Sequence, residues 1–182
     1  MQQAGLSTAV IRLTRALDED GIAYAIGGAI ALGYYTPPRA TADIDIGIGV
    51  DSDQLPHLFQ LLEKAGCVFD PQAALEGAQR GDFGVTLSGY RVDVFLPIYV
   101  LAEEALRSRV RVPFSDGQIW IVSLEALVML KLLYSRTKDF ADLERLVALN
   151  RSALNQARCI ERSSSLFGPD DARTRLLREY LR

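Results

Sequence analysis

Apolar residues recur along the chain with two periods. Leu6, Val10, Ile11, Leu13 and Leu17 form a helical stripe, so a helix is expected over about Ser7–Glu19, stopped by Gly21. Ala23–Ile26 is a short apolar strand running into Gly27-Gly28, and Ala29–Tyr35 is a short apolar helix closed by Pro37-Pro38. Asp43-Ile44-Asp45-Ile46-Gly47-Ile48 alternates with period two, the mark of a half-buried strand. A helix capped by Ser52 or Asp53 should reach Lys64 and end at Gly66, and residues 70–81 hold a short helix and a turn. Phe83–Ser88 and Arg91–Leu96 read as a hairpin turning at Gly89-Tyr90, followed by a helix near 99–107 and a strand near Ile119–Val122. Beyond Ser123, an N-cap residue, the pattern is helical: Leu124–Tyr134, about Asp139–Leu149, and a tail broken near Ser163–Ser165 and Gly168-Pro169. The expected class is α+β: a small mixed sheet with flanking helices over residues 1–122, then a helical C-terminal part over 123–182.

Composition narrows the chemistry. Of the 182 residues, 49% are apolar, enough for a core. No stretch suits a bilayer span, and Met1–Gly5 carries no positive charge ahead of an apolar run; a cytoplasmic protein without a secretory signal is expected. The net charge of −3 is uneven, with six basic and twelve acidic residues in 1–102 against fourteen and eleven in 103–182. That balance argues against a free-standing nucleic-acid binder, without excluding a local basic groove. Cys67 and Cys159 are far apart and read as reduced thiols rather than zinc ligands. The one histidine, His57, falls on a surface helix, which leaves histidine-based hydrolysis without a base.

The chemistry gathers on carboxylates. Asp43 and Asp45, two apart on a strand, share one face while Ile44, Ile46 and Ile48 take the other. Like charges held side by side call for a cation, and Mg2+ (or Mn2+) prefers such oxygen ligands. Asp93, alternating with Val92 and Val94, is the expected third member: metal ligand and proton acceptor for an attacking hydroxyl. A lone Asp-x-Asp is also an ordinary solvated strand face. Gly27-Gly28, fifteen residues upstream of Asp43, follows a strand and opens a helix, where amide groups can face a phosphate. Lys131 lies in the very apolar run Leu127–Leu133, so its charge needs a partner or a wet cleft; the alternative is a lysine snorkelling at the helix edge. Asp139 and Asp142 share a helix face, Asp139 being placed to orient Lys131 or an arginine, and Lys131→Met is expected to spare stability. Arg136 and Lys138 read either as phosphate ligands or as surface charges.

Ile26-Gly27-Gly28-Ala29 together with Arg39-Ala40-Thr41-Ala42-Asp43-Ile44-Asp45 resembles the signature of the DNA polymerase β-like nucleotidyltransferase superfamily, closest in flavour to its AbiEii-like group. Ser123–Lys131 and Arg136–Leu143 resemble the group's helical motifs, a lysine paired with a downstream Lys-Asp-x-x-Asp. The resemblance implies metal-dependent transfer of a nucleoside monophosphate from an NTP, with Asp43, Asp45 and Asp93 holding metal and Gly27, Gly28, Arg39, Thr41, Lys131 and Asp139 binding nucleotide. The implied acceptor is a tRNA end, a protein side chain or a small molecule. Some members of the group are toxins, so an antitoxin protein is an implied partner. Many superfamily members carry serine where this chain has Gly28, which must then meet phosphate through its backbone. The competing reading is an inactive module that binds nucleotide or a partner.

Overall fold

The computed structural model describes residues 5–182; Met1–Ala4, read above for a leader, lie outside them. Its centre is one mixed sheet in the order β3-β4-β5-β2-β1-β7-β6. The strands are β1 (Ala23–Ile26), β2 (Asp43–Gly49), β3 (Cys67–Val68), β4 (Asp82–Leu87), β5 (Tyr90–Phe95), β6 (Val110–Phe114) and β7 (Gly117–Ile121). Two neighbouring pairs, β2–β5 and β1–β7, run parallel and the rest antiparallel. The helices are α1 (Leu6–Glu19), α2 (Gly28–Tyr35), α3 (Leu55–Lys64), α4 (Pro71–Arg80), α5 (Val100–Arg107), α6 (Leu124–Tyr134), α7 (Thr137–Asn150), α8 (Gln156–Phe167) and α9 (Ala172–Tyr180). The chain is therefore α+β, as its patterning predicts.

Alternation along β2, β4 and β5 sends Ile44, Ile46, Ile48, Phe83, Val85, Leu87, Val92 and Val94 to one face, all buried. Phe59 of α3 packs edge-on to Phe83 there, ring centroids 5.5 Å apart. The opposite face carries Asp43, Asp45 and Gly47 on β2 and Asp93 on β5; α5 covers part of it, with Leu106 beside Gly47. One cluster of buried apolar residues runs from Ala9 to Leu181 and includes both the sheet and the C-terminal helices.

Four expectations need correction. Ser52 and Asp53 do not cap a helix: Asp51 does, in a reciprocal capping box with Gln54 that opens a short 3-10 turn before α3. The hairpin turns one residue earlier, at Ser88-Gly89, both with positive φ (53° and 85°) as a two-residue turn needs. Strands β3 and β6 have no counterpart in the sequence reading. The tail does not break at Ser163–Ser165; these residues continue α8, where the buried Ser163 hydroxyl pairs with Thr174 at 2.8 Å.

Candidate active site

The parallel pairing of β2 with β5 sets the site. Their register places Asp45 directly opposite Asp93 and Asp43 opposite Arg91, so the three expected carboxylates share one face of two neighbouring strands. Asp43 is exposed, whereas Asp45 and Asp93 are half-buried. Burial raises the Asp45 pKa above the usual carboxylate range, and Asp93 and Asp43 push it the same way, against the pull of Lys131 and Lys138. Asp93 instead accepts a hydrogen bond from Arg91 Nε at 2.7 Å.

The side chains are not drawn together around a point. Among the described residues no three His, Cys, Asp or Glu side chains converge enough to enclose an ion. Asp93 is turned to Arg91, and Asp45 lies against Gly28. Still, an all-oxygen donor set with one carboxylate pushed up by burial and by like-charged neighbours suits a hard divalent cation, because such a cation removes the like-charge cost.

Gly28 begins α2 at φ 52°, and a Cβ built there would fall 1.8 Å from Asp45 Oδ2. Left-handed backbone favours glycine there, and the Asp45 carboxylate would have to move to admit a side chain. The Gly27 amide does not face the cleft as a free donor: it bonds to the Asp45 carbonyl at 2.8 Å. The remaining first-turn amides of α2, from Gly28 onward, are those without an acceptor four residues back.

Lys131 is 5% exposed and donates to Asp139 Oδ1 at 2.9 Å and Asp142 Oδ2 at 2.8 Å. It does not snorkel: the ammonium is paired and lines the same cleft as the three carboxylates. Arg136 Nε reaches Asp139 at 2.6 Å and Arg39 Nη2 reaches Asp142 at 3.4 Å. Burial works against ionised Asp139, but the bonds from Arg136 and Lys131 prevail and lower its pKa. Thr41 lines the cleft too, its hydroxyl bonded within its own turn to the Asp43 backbone at 3.2 Å.

The cleft has a volume of about 510 Å³. Gly27, Gly28, Arg39, Arg80, Lys131, Arg136 and Lys138 give it a polar and cationic lining. Phe95, Leu96, Tyr99, Leu130 and Tyr134 give it an apolar, aromatic part, with Asp82 nearby. Sequence reasoning did not assign these aromatic residues. Phe95 was legible in principle, two positions beyond Asp93 on the same strand face. Tyr134, 6.2 Å from Phe95 between ring centroids, takes the Arg136 guanidinium over its ring at 5.1 Å. His57 is on α3 away from this cleft, paired with Asp20. Cys67 and Cys159 are free and buried, their thiols pushed up by burial to about 11 and about 12. No helix among the described residues is long and apolar enough to cross a membrane.

No family model matches the chain, and no curated protein matches it in sequence. Solved structures do match. The antibiotic-resistance factor ANT(2'')-Ia, in complex with adenylyl-2''-tobramycin, superposes with TM-score 0.63 at 16% identity over 87% of this chain and 95% of that one. The lincomycin-bound lincosamide antibiotic adenylyltransferase LnuA gives 0.55 at 15% identity over 81% and 99%. An antigenic nucleotidyltransferase-like protein from Paracoccidioides brasiliensis gives 0.53 at 17% identity over 94% and 92%. The chain has a nucleotidyltransferase fold. Near-complete coverage in both directions means the nucleotidyltransferase likeness includes the C-terminal helices as well as the sheet.

Proposed function

We propose that this protein transfers a nucleoside monophosphate from an NTP to an acceptor hydroxyl and releases pyrophosphate. The observation that carries the reading is the register of β2 on β5, which sets Asp45 opposite Asp93 beside Asp43, in one cleft with Lys131, Arg136 and Arg39. Residues 1–122 then supply the carboxylates and residues 123–182 most of the cations. Asp43, Asp45 and Asp93 would hold Mg2+ (or Mn2+), which when bound neutralises phosphate charge and acidifies a coordinated hydroxyl.

The chain's own groups do the rest. Arg39, Lys131, Arg136 and the first-turn amides of α2 bind the triphosphate and stabilise charge on the departing pyrophosphate. Asp93, oriented by its hydrogen bond from Arg91, accepts the acceptor's proton as the acceptor oxygen bonds to the α-phosphorus. The α–β bridging bond breaks, and its electron pair leaves with pyrophosphate. The aromatic part of the cleft, with Phe95, Tyr99 and Tyr134, suits a ring-bearing small acceptor. This accords with the adenylyl-2''-tobramycin and the lincomycin bound by two proteins of like fold. The AbiEii-like grouping and an antitoxin partner rest on the sequence motifs around Gly27-Gly28, Arg39–Asp45, Ser123–Lys131 and Arg136–Leu143 alone. The proposed use of NTP supports a cytoplasmic location.

The test is incubation with radiolabelled NTPs, Mg2+ and candidate acceptors, aminoglycosides and lincosamides among them, with Asp93→Asn as the control. Label should move to an acceptor with the wild type and fall by more than about a hundredfold with Asp93→Asn, the low end for loss of a general base. NTP binding with no transfer to any acceptor or cell extract would favour the inactive binding module.

A further inference from the structure

The cations of the cleft are held in a chain of ion pairs. Asp142 of α7 is 5% exposed and receives both Lys131 Nζ at 2.8 Å and Arg39 Nη2 at 3.4 Å. Asp139, one helical turn away, receives Lys131 at 2.9 Å and Arg136 at 2.6 Å. The order is Arg39–Asp142–Lys131–Asp139–Arg136, three cations on two carboxylates. The surplus positive charge faces a cleft that Arg39, Lys131 and Arg136 line and Asp142 does not.

Arg39 is the weakly held member. It lies in the irregular segment between α2 and β2, its side chain is 40% exposed, and among the described residues its guanidinium has Asp142 as its sole hydrogen-bond partner. An arginine free on such a segment must give up rotamer entropy to bind in one geometry. Lys131 has three N–H donors; two are taken by Asp139 and Asp142, which leaves one for the cleft.

We propose that Asp142 is a positioning residue for the triphosphate: acting through Arg39 and Lys131, it sets the spacing at which these two cations meet phosphate oxygens, without touching substrate itself. The inference rests on the reading of this cleft as an NTP site. It makes α7 part of that site and ties the segment ahead of the Asp43–Asp45 strand to the C-terminal helices.

The experiment is a double-mutant cycle of Asp142→Asn and Arg39→Met, read by calorimetry with Mg2+ and inorganic tripolyphosphate, and by NTP kinetics where turnover is found. Each single variant should weaken tripolyphosphate binding by about tenfold or more, the scale of one charged hydrogen bond, and the double variant should be no weaker than Asp142→Asn alone. KM for NTP should rise by more than kcat falls, and Asp142→Glu should recover part of the affinity. If Asp142→Asn does not fold, the cycle runs with Asp142→Glu, whose smaller loss should shrink in the Arg39→Met background, leaving the part that acts through Lys131. Losses that multiply, unchanged affinity in the Asp142 variant, or a fall in kcat at constant KM would overturn the inference while leaving the NTP site standing. A wild type that binds neither NTP nor tripolyphosphate would overturn both.

Discussion

Asp45 shows what the site costs the fold. Its carboxylate is half-buried beside Asp93 and wedged against Gly28, and burial with like charge raises its pKa. A raised folded-state pKa contributes stability that is fully present below the ordinary value of about 3.9 and is lost as pH rises through the shifted one. At neutral pH ionised Asp45 therefore opposes folding. Asp45→Asn should raise the melting temperature of the metal-free protein near neutral pH, by about 2–4 °C for each kcal/mol relieved, with the gap closing toward pH 4. Scanning calorimetry at the two pH values checks this, and an Asn variant less stable at both would refute it. Lys131 behaves in the opposite way. Its expected harmless replacement by Met does not fit two buried carboxylates within 3 Å of the ammonium. Lys131→Met should destabilise by about 3–5 kcal/mol in a urea titration, because it strands acceptors that Arg39 and Arg136 satisfy only in part. Asp43, Asp45, Asp93 and Lys131 were legible in the sequence because each breaks a local apolar pattern. The role of Asp142 was not, since its pairing with Arg39 spans 103 positions.

Elements were legible where they carry their own periodicity. The helices from α1 to α7 and strands β1, β2, β4, β5 and β7 follow the apolar pattern closely. β3 has two residues, too few to show a period, and β6 exposes most of its length and contains Pro113, so pairing with β7 alone defines it. Ser163–Ser165 looked like a break because serines are common at helix ends, yet tertiary packing overrides that preference. The Ser163 hydroxyl is buried and meets Thr174 of α9, itself fully buried. Ser163→Ala should cost about 1–3 kcal/mol, the penalty of leaving the Thr174 hydroxyl unsatisfied, and Ser163→Ala/Thr174→Val should recover much of it. Urea midpoints of the two variants decide; equal losses would mean the pair carries no coupling.

At the scale of the whole molecule, the sequence indicated the class and the grouping of carboxylates. The register that sets Asp45 opposite Asp93 is a long-range fact, fixed by how β5 returns beside β2 after the intervening α3–β3–α4–β4 excursion. The strand order has one more consequence. It leaves β3 and β6 at the two borders of the sheet. A border strand offers its unpaired backbone to any passing chain, but these two offer little: β3 is short, and in β6 Pro113 has no N–H while its carbonyl accepts the Tyr34 hydroxyl at 2.5 Å. Arg109 and Arg111 on the same border lie over Trp120 and add like charge against a second copy. Pro113→Val with Tyr34→Phe should restore a receptive border and make the protein associate with rising concentration, visible by light scattering under conditions where the parent scatters no more at high concentration than at low. The proline thus acts as a guard against polymerisation, keeping a seven-stranded sheet from recruiting an eighth strand from its neighbour.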